Sequence, residues 1–113
     1  MKNIDEFVNE SASMYLNKSQ LYLLSIPYAM YKEYGQYKED FDSLEEQDKD
    51  DIEAMQKFLD ENFDADRVRI AYKKLAPQVQ YGIKKICEIC LKHESDLNKL
   101  DAKLFKEILS ELS

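Results

Sequence analysis

The chain predicts an all-α fold, and three observations carry the prediction. Its 113 residues include only two Gly and two Pro, too little turn punctuation for a sheet protein. Helix-favouring Leu, Lys, Glu, Ala and Met occur throughout. Apolar residues recur at helical spacing in segment after segment. With 44% apolar and 35% charged residues and no long polar tract, the composition is that of a globular chain. At this length a single helical domain over 1–113, built as a compact bundle of five or six helices, is the expected architecture.

The first helix is expected from Asn3, which can cap it, with Ile4, Phe7, Val8, Ala12 and Tyr15 on one face, running to Leu16 or on to Leu24. Pro27 disfavours helical geometry at Ile26, so a kink or a new helix start is expected near Ser25 to Pro27. The second helix then carries Met30, Tyr34, Tyr37 and Phe41, with Gly35 inside it as a close crossing or a weak point. Ser43 and Glu46 match a capping box, so a third helix is expected from about Ser43, with Ile52, Met55, Phe58, Leu59 and Phe63 turned inward. Asp64 or Asp66 would cap a short fourth helix bearing Val68, Ala71 and Leu75, ended or bent by Pro77. A fifth carries Val79, Ile83, Ile86, Cys87, Cys90 and Leu91. Leu97 and Leu100 read as a short packed connection, and Asp101 as the cap of a last helix with Leu104, Ile108 and Leu112.

Six of the eight tyrosines lie in the first third, and Tyr28, Tyr31, Tyr34 and Tyr37 recur every third residue. On a helix each step of three drifts by about 60°, so the four fan across roughly half the circumference and cannot share one core. Either a second element covers them or the outer ones stand at the surface, where an aromatic body with a polar tip suits an interface.

Charge is distributed unevenly around the net −7. Residues 39–66 hold thirteen acids against Lys49 and Lys57, whereas 67–92 hold seven bases against Glu88. Two readings follow: a solvated acidic helix beside a solvated basic one, or an acidic face directed at a basic target, whose association it would accelerate. The acidic total argues against nucleic-acid binding as the main activity, because phosphate neutralisation needs clustered Lys and Arg. The longest uncharged run, Ser19 to Tyr31, is 13 residues and contains Pro27, short of the ~20 needed to span a bilayer. Asp5 and Glu6 stand where a secretory leader needs bases, and two Cys offer no disulfide framework, so a cytoplasmic protein is expected.

Chemistry is sparse. Asp60, Asn62, Asp64 and Asp66 alternate as in a calcium loop, but Ala65 and Ala71 stand where that loop needs Gly and Glu. Cys87 and Cys90 form C-x-x-C with His93 nearby, without the second ligand pair of a structural zinc site, and both fall on the apolar stripe as core thiols. A single His and two Gly leave no nucleophilic triad, phosphate loop or H-E-x-x-H helix, so no catalytic residue, metal or cofactor is assigned. The expectation is a non-enzymatic, protein-binding inhibitor that occludes a basic partner, in the manner of an immunity protein, antitoxin or phage inhibitor. Its surface would comprise Tyr28, Tyr31, Tyr34, Tyr37, Glu39, Asp40, Asp42, Glu45, Glu46, Asp48, Asp50 and Asp51. The alternative is a self-associating structural or adaptor subunit, a homodimer pairing through the tyrosines.

Overall fold

The computed structural model describes residues 15–113. The first helix expected from Asn3, with Ile4, Phe7, Val8 and Ala12, lies outside them. The described chain forms an all-α bundle of five helices: α1 (Lys18–Tyr34), α2 (Lys38–Asp42), α3 (Glu46–Glu61), α4 (Pro77–Lys92) and α5 (Lys99–Leu112). Two-residue strands β1 (Tyr15–Leu16) and β2 (Ile70–Ala71) pair antiparallel, Tyr15 opposite Ala71 and Leu16 opposite Ile70. Tyr15 and Leu16 are therefore strand rather than helix, and α1 begins after Asn17, whose Oδ1 accepts from the Gln20 amide at 2.9 Å.

Helix α1 continues through Pro27, so no new helix starts there. An internal proline costs about 3 kcal/mol. Burial on both sides of it outweighs that cost: Leu21 and Leu24 are fully enclosed before it, and Tyr28 and Tyr31 pack on Phe41 after it. The helix stops instead at Gly35, in the left-handed region at φ 70°, whose amide donates to the Tyr31 carbonyl at 2.8 Å. Gly35 is thus a terminator, not an interior residue, and Tyr37 and Phe41 belong to a separate course of chain.

Four further expectations fail, two at caps and two in connecting segments. The Ser43–Glu46 capping box does not form: Ser43 Oγ donates back to the Asp40 carbonyl at 3.2 Å, and α3 starts after Glu45 with no side-chain cap. Asn98, not Asp101, caps α5, accepting from the Asp101 amide at 2.8 Å. Leu97 is half-buried, but Leu100 is 79% exposed rather than packed. The short helix expected around Val68 to Leu75 is replaced by β2 and a 3-10 turn, Tyr72–Lys74. Lys18 Nζ donates to the carbonyls of Phe63 and Ala65, at 2.6 and 2.5 Å, and fixes the loop in extended form. Tyr72 enters the core instead, its hydroxyl donating to the Gln20 amide oxygen, while Val68 and Leu75 remain buried as the apolar pattern requires.

The core is one cluster joining Leu16, Leu21 and Leu24 to Ile52, Met55 and Leu59 of α3, Ile83 and Ile86 of α4, and Phe105 and Ile108 of α5. Helix α4 is the hub, packing on α1, α3 and α5. Pro77 opens it at the first-turn position that suits a residue lacking an amide hydrogen. Cys87 and Cys90 are buried in this hub, and burial pushes both thiols up, Cys90 to about 12. Nucleophilic thiolate is thereby suppressed.

The α3–α4 crossing is close because of Gly82. A Cβ there would lie 2.7 Å from the Met55 Cβ and would overlap the backbone carbonyl of Asp51. Gly82→Ala is expected to force the helices apart and destabilise the fold by about 1–3 kcal/mol, the usual range for overpacking. Urea unfolding of the variant checks this; a midpoint equal to wild type would show that the crossing is not tight.

Candidate functional site

The region named from sequence is divided by the bend at Gly35. Tyr28, Tyr31 and Tyr34 lie on α1, whereas Tyr37 follows the bend and precedes α2. Phe41, buried on α2, receives the first two: Tyr31 stacks on it at 4.6 Å between ring centroids and Tyr28 tilts against it at 5.9 Å. Their hydroxyls reach outward to carboxylates, Tyr28 to Glu53 at 3.4 Å and Tyr31 to Asp42 at 2.5 Å. Both phenols are held above their ordinary pKa, Tyr28 first by burial and then by Glu53, Tyr31 first by its bond to Asp42. Tyr34, 73% exposed, is the one member of the set that stands free of the packing.

Tyr37 serves a different junction. It occupies the left-handed region at φ 55°, a conformation that costs a non-glycine residue roughly 1–2 kcal/mol. Its ring lies parallel on the His93 imidazole, 3.9 Å between centroids and 6° between planes, and its hydroxyl donates to Asp96 at 3.3 Å. Burial is the main cause raising its pKa. His93, at the C-terminal end of α4, meets the Asp40 carboxylate through Nε2 at 2.6 Å, and Lys92 Nζ reaches the other oxygen at 2.5 Å. Asp40 thus clasps α2 to the end of α4. His93 faces this carboxylate, so the C-x-x-C-with-His cluster seen in sequence is divided between a thiol core and a surface clasp. No group of metal-binding side chains is assembled among the described residues.

The acids fall into three groups. Asp40, Asp42 and Asp48 have intramolecular partners: Lys92 and His93, Lys38 and Tyr31, and Lys85 at 3.7 Å, respectively. Burial alone would lower the Lys85 pKa, but Glu88 and Asp48 outweigh it and raise it. Asp51 is 5% exposed, accepts from Gln47 Nε2 at 2.9 Å and lies under α4. It cannot belong to a binding surface, which corrects its inclusion there. Glu39, Glu45, Glu46 and Asp50 are exposed and form no ion pair with another described side chain.

Sequence reasoning missed three acids that geometry adds. Exposed positions Glu46, Asp50, Glu53, Lys57 and Asp60 alternate in steps of four and three along α3, with Glu61 beside the last. That spacing makes one stripe, on the face opposite Ile52, Met55 and Leu59. Glu53, Asp60 and Glu61 were legible in the same periodicity, as the polar complement of the apolar stripe. Glu46 lies in the first turn of α3, where the helix dipole favours an acid, whereas Asp50 and Glu53 lie beyond its reach and Asp60 and Glu61 fall in the last turn, where it disfavours acids. Compared with protein-family models, with curated proteins and with solved structures, the chain gives no significant match.

The clasp makes a pH prediction. His93 first, and then Lys92, hold Asp40 below the usual carboxylate range. A depressed pKa contributes stability that is complete above the unfolded value of about 3.9 and is lost as pH falls through the folded value. Wild type is therefore expected to exceed Asp40→Asn in urea-unfolding midpoint at pH 6, with the two converging as pH falls below the ordinary carboxylate range. A gap that persists unchanged at low pH would contradict the clasp.

Proposed function

We propose that the protein is a non-enzymatic binding module that occludes a basic partner protein through the outer face of α3. The carrying observation is the exposed stripe of Glu46, Asp50, Glu53, Asp60 and Glu61, interrupted only by Lys57 and turned away from the basic helix α4. The bipolar charge of the chain is only partly consumed within the fold, at Asp40 and Asp48. Five exposed acids remain on this one long helix; Lys57 within the stripe and Lys32 and Lys49 beside Glu53 offset part of their charge, and the acidic excess speeds encounter with a basic surface and disfavours acidic competitors. Tyr34, exposed at the end of α1, supplies an aromatic contact of the kind that concentrates binding energy.

Like charges four apart on a helix oppose each other by about 0.2–0.5 kcal/mol, and Glu46 and Asp50 are such a pair. That pair adds nothing to the stability of α3, whereas Glu53 and Glu61, each four residues from Lys57, are spaced for favourable pairs. An inhibitory module of this kind belongs in the cytoplasm beside its target. No helix among the described residues is long and apolar enough to cross a membrane.

The double variant Asp50→Lys, Glu53→Lys separates binding from folding. It is expected to stay folded, at a slightly lower unfolding temperature than wild type because Glu53 is lost from between Lys49 and Lys57 and from its bond to Tyr28, while losing at least tenfold in recovery of partner from a native lysate at low salt. Equal recovery of every partner by the two proteins would refute the reading.

A further inference from the structure

A small notch lies where α1, the bend after Gly35 and the start of α5 meet. Leu23 and Ile26 of α1 and Leu97 and Phe105 from the other side form its walls, with Tyr37 and Asp101 among the other lining residues, in a volume of about 140 Å³. At ~30 Å³ per water this is the space of four or five waters, or of one long side chain. Ile26 is 52% exposed, so the notch opens to solvent.

Its charge sets it apart. Two larger grooves that meet at Tyr28, of about 490 and 270 Å³, carry Lys32 with Lys57 and Lys32 with Lys49. The notch has no Lys, Arg or His in its lining and shares no residue with those grooves. Asp101 stands in its wall, one carboxylate oxygen accepting from Asn98 at 3.2 Å and the other accepting nothing among the described residues. A second carboxylate, Asp96, receives the Tyr37 hydroxyl. Long cationic side chains bury an aliphatic stem along apolar surface and keep the charged head at a polar edge, the two features that this notch combines.

We infer that the notch is a docking site for a lysine or arginine side chain of a partner protein. The stem lies against Leu23, Ile26, Leu97 and Phe105, and the cation sits at Asp101. The inference stands apart from the outer face of α3, since a partner could engage either without the other.

Two synthetic peptides of equal charge test it: acetyl-(Lys-Ser)6-amide, and its analogue with each lysine replaced by 2,4-diaminobutyrate, whose stem is two methylenes shorter. Methyl NMR titration of the full chain reads the affinity of each. The lysine peptide is expected to bind roughly fifteenfold tighter, because its two extra methylenes are buried, with the shifts centred on Leu23, Ile26 and Leu97. Asp101→Asn is expected to weaken both peptides, and Ile26→Ser, at an exposed position that leaves the fold intact, to remove the difference between them. Equal affinities, shifts confined to the α3 face, or no binding of either peptide would overturn the notch; equal affinities with shifts on α3 would do so while leaving the acidic-face reading standing.

Discussion

The arrangement depends on the contact between Gly82 and the α3 backbone. Helices normally pack 8–10 Å apart, with side chains between them. Here the missing side chain lets the α4 backbone approach the Asp51 carbonyl and the Met55 side chain directly. That approach fixes the rotation of α3 about its axis: Ile52, Met55 and Leu59 must face inward, and Asp51 is carried into the interface with them. The acids on the opposite side are then presented outward as a row. The local polarity of the surface thus follows from a steric constraint on its far side.

Two left-handed residues perform the next step. Gly35 ends α1 by closing its last carbonyls, and Tyr37, two residues on, turns the chain again so that five-residue α2 can lay Phe41 into the core. A helix so short has little stability of its own. It is held at two points, Phe41 beneath Tyr28 and Tyr31 and Asp40 beneath Lys92 and His93. The strain at Tyr37 is offset by its stacking on His93, so one junction serves both the backbone turn and the clasp.

Much of this was legible in the residues. The helical period named Ile52, Met55, Leu59, Val79, Ile83 and Ile86 as core, and all are buried. The fan of tyrosines required a covering element or an exposed edge, and both occur, α2 over Tyr28 and Tyr31 and solvent around Tyr34. What was not legible depends on tertiary contact. Pro27 reads as a break because local sterics say so, and only burial on both sides overrides them. Ser43 reads as a cap because its spacing to Glu46 is right, but the helix starts two residues too late to use it, with Glu45 at the cap position. Gly82 offers no local signal inside an amphipathic helix; its meaning is the carbonyl that faces it. The pairing of Asp40 with His93, 53 positions apart, is likewise invisible to any local pattern.

The central claim is that the outer face of α3 is a contact surface for a basic protein. Zero-length carboxylate-to-amine cross-linking of the complex captured from lysate, read by mass spectrometry, tests it most directly. Cross-links from Glu46, Asp50, Glu53 or Asp60 to partner lysines are the predicted result. A captured partner linked only through acids elsewhere in the chain, with all four of these unreacted, would contradict it.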